Sequence, residues 1–386
     1  MLQNFVLVSE LKVCEGCLDG ESYGAIELLT GYSAPLDSSL LFFVRFRIDR
    51  VTSYARSRKI KRKREIMGSE SENLMIPCLD FSKDKLRIRE GSEEWKIMSK
   101  KVREACESHG CFFLIYDDDV KKGIHDDMFL CMKELFDLPL ETKRKYKSPK
   151  AYRSYNGDSS IIPLCQSFGI DDASLSEIAQ AFTNLMWPRG NPIFCETMKC
   201  MSSKMAELSF MILKMIQEGY DLPKQYTSEI EEMKSSSNFR LMKYKVPQSG
   251  DEVCETALLP HTDKSAVTIL CQNEVQGLEV LSKSNNWIPL KIPNQGFAVI
   301  IGDVLKAWSN GRLHAATHRV VMSGEKERYS IALFAMPKDE MKIEVPSEFV
   351  EEKIHPLRYK PFNYGDYLQF FVSTLKENAL DVFAGI

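Results

Sequence analysis

Only six histidines occur in this 386-residue chain, and one of them stands in a spacing that can do chemistry. His261-Thr262-Asp263 sets an imidazole and a carboxylate two residues apart. At the end of an extended strand, such a pair leaves the backbone on one side while Thr262 faces the other. Alone, His-x-Asp is a common accident of sequence. Its weight comes from Thr317-His318-Arg319-Val320-Val321, a strand pattern that brings a second imidazole 55 residues beyond Asp263. Two histidines and one carboxylate on one face of an octahedral metal leave three positions open. This is the facial triad by which a non-heme iron(II) centre takes on further ligands and oxygen. Zinc accepts the same donors but has no redox chemistry with oxygen, so zinc-dependent hydrolysis is the chemical alternative. His314 competes for the third position, because four residues along one strand it would share a face with His318. His318 is preferred: it lies within the apolar run, whereas His314 follows the turn Asn310-Gly311-Arg312.

Ten residues past His318, Arg328-Tyr329-Ser330 opens the run Ile331-Ala332-Leu333-Phe334. Arg328 and Ser330 share a strand face. A guanidinium fork matches a carboxylate through two parallel charge-assisted hydrogen bonds, and a serine hydroxyl adds a third. An arginine entering an apolar strand is costly without an anionic partner, supplied either by an internal salt bridge or by a bound acid. With the triad present, a dicarboxylate spanning metal and Arg328 fits better. Tyr244, on Arg240-Leu241-Met242-Lys243-Tyr244, can donate to the same carboxylate or serve simply as core.

The elements that must position these groups show in the periodicity. Phe239–Lys245, Ala266–Cys271, Gly277–Leu281, Trp287–Ile292, Phe297–Gly302, Ala315–Met322 and Tyr329–Ala335 are short apolar or alternating runs separated by turn residues such as Asn294-Gln295-Gly296. Their spacing predicts a mainly β chain with flanking helices around a double-sheet, cupin-like jelly-roll core. Upstream, Trp95, Met98, Val102, Ala105 and Cys106 recur at helical spacing, with Ser92 as cap and Gly110 as stop. A second helix carries Met198, Met201, Met205, Leu208, Met211 and Met215 and ends at Gly219; its methionine stripe reads as core rather than as a binding groove. The expected divisions are a disordered leader or gene-model extension at 1–66, an N-terminal helical region with a few strands packing on the core at 67–235, the jelly-roll core at 236–345, and a C-terminal helical segment covering the site at 346–386.

Composition sets outer limits. Hydrophobic residues make up 44% and charged residues 27%, as in soluble globular proteins. The net charge of −3 offers no general attraction to nucleic acid or anionic membranes. The longest apolar stretch, Leu40-Leu41-Phe42-Phe43-Val44, falls far short of a membrane span. Eleven scattered cysteines suggest free thiols in a reducing compartment, and Cys14-x-x-Cys17 lacks the partners of a zinc site. Residues 1–66 differ from the remainder: they carry 11 Lys and Arg against 8 Asp and Glu, while residues 67–386 carry 40 against 46. Seven of the basic residues fall between Arg56 and Arg64, which reads as a solvated leader or a nuclear-localisation tract. Met67-Gly68-Ser69 resembles a second start, in a weak myristoylation-like context.

His261-Thr262-Asp263-Lys264-Ser265, Gly302-Asp303, Ser309-Asn310-Gly311-Arg312, His318-Arg319-Val320 and Arg328-Tyr329-Ser330 together resemble the plant 2-oxoglutarate-dependent dioxygenases, from about Ile76 to Ile386. Phe182-Thr183-Asn184-Leu185-Met186-Trp187-Pro188 and the segment from His355-Pro356 to Lys360-Pro361-Phe362 resemble the subgroup of glucosinolate side-chain and auxin-oxidising dioxygenases. The resemblance implies iron(II) on His261, Asp263 and His318, and 2-oxoglutarate on Arg328 and Ser330 with Tyr244 in support. It also implies oxygen as oxidant, ascorbate as a reductant, and oxidation of a small plant metabolite or hormone with release of succinate and carbon dioxide. Neither nucleic acid nor membrane is expected as a partner, and a cytoplasmic monomer is. Two departures stand out: Met242 where many relatives carry asparagine, and the leader, which such enzymes usually lack. A non-catalytic ligand-binding jelly roll is the rival from another class.

Overall fold

Alternation along the strands decides how this chain is layered. In Ser236–Tyr244, Phe239 and Leu241 join an apolar cluster shared with the helices, while Met242 and Tyr244 join a second cluster. The same division recurs in Val267–Gln272, Phe297–Ile301 and Arg328–Met336. Strands buried on both faces read as continuous apolar runs, which is how these appear in the sequence.

The computed structural model describes residues 75–82, 90–116, 123–157, 159–247 and 255–386. The basic run, Cys14, Cys17 and Met67 lie outside them. The strands are β1 (Cys78–Asp80), β2 (Cys111–Ile115), β3 (Cys165–Asp171), β4 (Ser236–Tyr244), β5 (Glu255–His261), β6 (Val267–Gln272), β7 (Leu278–Leu281), β8 (Trp287–Pro289), β9 (Phe297–Ile301), β10 (His318–Met322), β11 (Arg328–Met336), β12 (Lys342–Ile343) and β13 (Phe362–Asn363). The larger sheet runs β1-β2-β9-β6-β11-β4-β3 and the smaller β5-β10-β7-β8; every pairing in them is antiparallel except β1 with β2. The second apolar cluster lies between the two sheets, with Leu278, Val280, Val320 and Met322 meeting Met242, Leu270, Ile300 and Ala332. This is the expected jelly roll. The smaller sheet has a core face only on one side, so β10 alternates buried with half-buried residues. On its outer side, Arg319 pairs with Glu279 at 2.8 Å and lies 4.1 Å over Trp287.

Helices cover the outer face of the larger sheet: α1 (Glu93–Ser108), α2 (Ile124–Asp137), α3 (Ser176–Met186), α4 (Pro192–Gly219) and α5 (Thr227–Glu232), followed later by α6 (Asp303–Trp308), α7 (Tyr364–Thr374) and α8 (Ala379–Ala384). Ser92 caps α1 by accepting the Trp95 N–H, and Asn191 caps α4 by accepting that of Phe194, with Pro192 in the first turn. The methionine stripe of α4 is core: Met198, Met201, Met205 and Met215 are buried. Three strands from before residue 236 hydrogen-bond into the larger sheet, β3 beside β4 and β1-β2 beside β9. Their distance in sequence from the strands they join concealed that role. No helix among the described residues is long and apolar enough to cross a membrane.

Candidate metal and cosubstrate site

The metal candidates meet because two strands pair. His261 ends β5, His318 begins β10, and the antiparallel register sets them opposite each other, beside a bulge at His318–Val320. Their ring centroids are 4.3 Å apart. Asp263 Oδ1 lies 3.8 Å from His261 Nε2 and 3.6 Å from His318 Nε2. One ligand atom from each residue falls within 4.8 Å of the others, the one such trio among the described residues.

The remaining polar atoms are already committed. His261 Nδ1 hydrogen-bonds the Leu259 carbonyl at 2.8 Å and His318 Nδ1 the Ala316 carbonyl at 3.0 Å. A carbonyl can only accept, so each Nδ1 holds the proton and each Nε2 lone pair points inward. Asp263 Oδ2 accepts from Thr268 Oγ1 at 2.7 Å, leaving Oδ1 toward the imidazoles. Burial, and then the neighbouring His318, lower the His261 pKa, so the imidazole is neutral and ligand-ready near pH 7. These donors suit iron(II). Replacing Thr268 with Val, which removes the carboxylate's orienting bond, is expected to weaken iron binding roughly 10–100-fold, read by anaerobic iron titration. An unchanged iron affinity would deny Thr268 that part.

A second loop clamps the first. Asp303 donates its N–H to the Asp263 carbonyl at 2.8 Å. Its Oδ2 accepts from Thr262 Oγ1 at 3.1 Å, Lys264 Nζ at 2.7 Å and Tyr367 Oη at 2.6 Å. The flanks of Asp263 and helix α7 thus share one buried carboxylate. Gly302 makes the approach possible, because a Cβ there would sit 2.1 Å from the Ser265 carbonyl oxygen. Gly302→Ala is therefore expected to cost about 1–3 kcal/mol in thermal or denaturant unfolding, with weaker iron binding besides. Unfolding at the wild-type midpoint would contradict that packing.

His314 goes elsewhere. Its N–H donates to the Cys106 carbonyl at the end of α1, and its own carbonyl packs on Gly110, held at φ +68° where a Cβ would lie 2.2 Å away.

Arg328 opens β11 and is fully buried. Its Nε and Nη2 donate to Gln272 Oε1 at 3.1 and 2.7 Å, and its Nη1 to Ser330 Oγ at 3.3 Å. The guanidinium lies 4.9 Å over the Tyr244 ring, the residue opposite Arg328 in the β11–β4 register. Tyr244 Oη lies 3.5 Å from the Met242 sulfur, where the Asn-x-Tyr pattern would offer an amide, and the Arg328 guanidinium is a hydrogen-bonding neighbour of the same hydroxyl. Among the described residues no carboxylate pairs with Arg328, so the internal salt bridge finds no support there. Gln272 and Thr268 had escaped notice. The signal was there: both are polar, at alternate positions of an otherwise apolar run, and so share the inner face with Leu270.

Fold and site define a double-stranded β-helix oxygenase of the iron(II) and 2-oxoglutarate kind. Residues 236–337 match the 2OG-Fe(II) oxygenase superfamily and residues 76–162 the non-haem dioxygenase N-terminal region named for morphine synthesis. A probable 2-oxoglutarate-dependent dioxygenase AOP1 of Arabidopsis thaliana is 38% identical over 306 residues, 78% of this chain and 98% of the relative. The Arabidopsis dioxygenase AOP3 is 29% identical, over 83% and 99% of the two chains. Among solved structures, the rice dioxygenase for auxin oxidation superposes with a TM-score of 0.67 at 30% identity, covering 80% of this chain and all of that one. The Arabidopsis auxin-oxidation dioxygenase with 2-oxoglutarate gives 0.64 at 28% identity, covering 73% of this chain and all of that one. The chain belongs to the 2-oxoglutarate- and iron(II)-dependent dioxygenases, and its plant relatives are those the subgroup motifs pointed to.

Proposed function

We propose that His261, Asp263 and His318 hold the iron(II), and that Arg328, Ser330 and Tyr244 seat the distal carboxylate of 2-oxoglutarate. The observation that carries this is the fully buried guanidinium, whose partners among the described residues are all neutral. A desolvated charge in that state calls for an anion, which none of the described carboxylates supplies.

Iron(II), when bound, supplies the redox chemistry with oxygen. The protein contributes binding, orientation and exclusion of water. The Arg328 fork and the Ser330 hydroxyl fix one end of the keto acid, and Gln272, whose Nε2 is anchored on Gln276 Oε1 at 2.7 Å, fixes the fork. The apolar faces of Leu278, Val280, Val320 and Met322 keep that end dry. Of the C-terminal segment 346–386, α7 ties down through Tyr367 and sets the Phe371 ring 4.6 Å from Lys264 Nζ, which supports its role as a cover. The described helices between residues 90 and 235 buttress a core at 236–345, and β1, β2 and β3 extend its larger sheet.

The substrate that is oxidised is a small plant metabolite or hormone, as with the auxin-oxidising relative. The chain is read as a monomer, since one chain supplies all three metal ligands and the residues proposed for 2-oxoglutarate. The eight described cysteines, all free thiols, suit the cytoplasm, with the Arg56–Arg64 run as a nuclear signal the alternative. The test is succinate release from 2-oxoglutarate by the iron-loaded protein under oxygen. Silence of a folded, iron-loaded preparation across a broad metabolite panel would count against the reading.

A further inference from the structure

One side of the jelly roll opens into a cavity that neither the metal nor the cosubstrate uses. Its volume is about 300 Å³, enough for a small molecule. The floor is apolar. Val280 of β7 belongs to the cluster between the sheets, and Ile76, just before β1, and Ile288 of β8 pack against that cluster from the two sheet edges. The walls are polar and come from three parts of the chain. Lys283 and the serines on either side of it turn β7 into β8, Ser108 and His109 end α1, and His314 precedes β10. Among the described residues no aspartate or glutamate lines the cavity.

The polar groups of the walls have donors to spare. Lys283 Nζ gives one N–H to the Glu107 carbonyl at 2.9 Å and keeps two. Ser282 Oγ accepts from the Asn286 N–H at 3.0 Å and Ser284 Oγ from Asn286 Nδ2 at 3.2 Å, and the two hydroxyls lie 3.0 Å apart. One of them donates to the other, so one O–H stays free. The His314 ring has no hydrogen-bond partner among the described residues, and in either neutral tautomer it carries one N–H. Its backbone N–H, bonded to the Cys106 carbonyl, fixes its place. Burial, and then Lys283, Lys306 and His109, lower the His314 pKa, so every group whose charge acts on it is a base. Lys306 is already paired with Asp381 at 3.1 Å, which leaves Lys283 as the standing charge of the cavity.

A metal ion fits these walls poorly. Two imidazoles line them, but no third ligand atom from a described His, Cys, Asp or Glu joins the pair, and a dication would sit beside the Lys283 ammonium. An oxyanion fits them well. Phosphate and sulfate present several acceptor oxygens to convergent N–H and O–H groups, and an ammonium donor makes such bonds charge-assisted. A bare inorganic ion would leave the apolar floor uncovered, whereas an ester covers it with its organic part.

We propose that this cavity is a second binding site, for a phosphate or sulfate ester of a small apolar molecule. The oxyanion is held by Lys283, His314 and the serine pair, and the organic part lies over Ile76, Val280 and Ile288. The site is distinct from the cosubstrate clamp: Arg328 opens β11, which β2, β9 and β6 separate from the β1 edge. Val280 stands opposite His318 in the β7–β10 register, which sets the floor one strand away from a candidate metal ligand.

The experiment uses the full chain with iron(II) and saturating 2-oxoglutarate. Anaerobic calorimetry compares phenyl phosphate and phenyl sulfate with inorganic phosphate, inorganic sulfate and uncharged benzyl alcohol. At least one ester should bind roughly 10-fold or more tightly than its inorganic ion and than benzyl alcohol, since it alone uses both walls and floor. Lys283→Met should weaken that binding roughly 10-fold, and Lys283→Arg should keep most of it. Lys283 is exposed, so these variants keep the fold. Esters bound no better than benzyl alcohol, or bound equally well by Lys283→Met, would overturn the proposal. An inorganic ion bound as tightly as its ester would overturn the ester assignment. Loss of ester binding when 2-oxoglutarate is added would place the ester in the cosubstrate clamp, and would also overturn it. None of these readouts depends on turnover, so failure of the enzyme reading keeps its separate signature, the absence of 2-oxoglutarate-dependent succinate.

Discussion

Asp263→Ala is expected to abolish turnover, with succinate release reduced on the order of 1,000-fold or more. The carboxylate is the one anionic donor of the trio, and its Oδ1 lies within 4 Å of both imidazole Nε2 atoms. Removing it leaves two neutral donors for a dication, while the Thr268 hydroxyl that had steadied it keeps Ser265 Oγ at 3.1 Å as a partner. The fold should survive, because the backbone clamp from Asp303 to the residue 263 carbonyl needs no side chain at 263. Circular dichroism and thermal unfolding near the wild-type values, together with lost iron and lost succinate, make the expected pattern. Succinate release at the wild-type rate would remove Asp263 from the metal site.

Arg328→Met is expected to move stability and binding in opposite directions. Without 2-oxoglutarate the wild type carries a buried charge that no described carboxylate offsets, so an apolar residue of similar volume should leave stability unchanged or raise it. With 2-oxoglutarate the order reverses. The wild type gains stability by mass action, while the variant, lacking the fork, gains almost none. The KM for 2-oxoglutarate should rise roughly 100–1,000-fold, the loss of a buried, hydrogen-bonded charge pair. Arg328→Lys keeps the charge and loses the fork, and should fall between the two. Thermal shift with and without 2-oxoglutarate reads both halves. A variant that is strongly destabilised without ligand, yet responds normally to 2-oxoglutarate, would mean that Arg328 serves the fold instead.

How much of this was legible depended on sequence distance. His261, Asp263 and His318 were readable because strand periodicity fixes which residues share a face, and the turn residues between runs mark where strands end. Arg328 and Ser330 followed from the same rule. The sequence could not reveal that β5 and β10 pair with His261 opposite His318, since register is set by side chains packing between sheets. Gln272 and Thr268 were hidden for a related reason: each matters only through a partner 56 or five residues away, joined to it by β6 lying next to β11 or by the turn after Asp263. The strands before residue 236 were underestimated because β1, β2 and β3 enter the sheet at its two edges and far apart in sequence.

Iron content after anaerobic loading and gel filtration, compared across the wild type and His261→Ala, Asp263→Ala, His318→Ala, His314→Ala and Arg328→Met, tests the assignment most directly. About one iron per chain should stay with the wild type, His314→Ala and Arg328→Met, and little with the other three. Full iron in any of those three, or its loss from His314→Ala, would show that the metal is held by other groups.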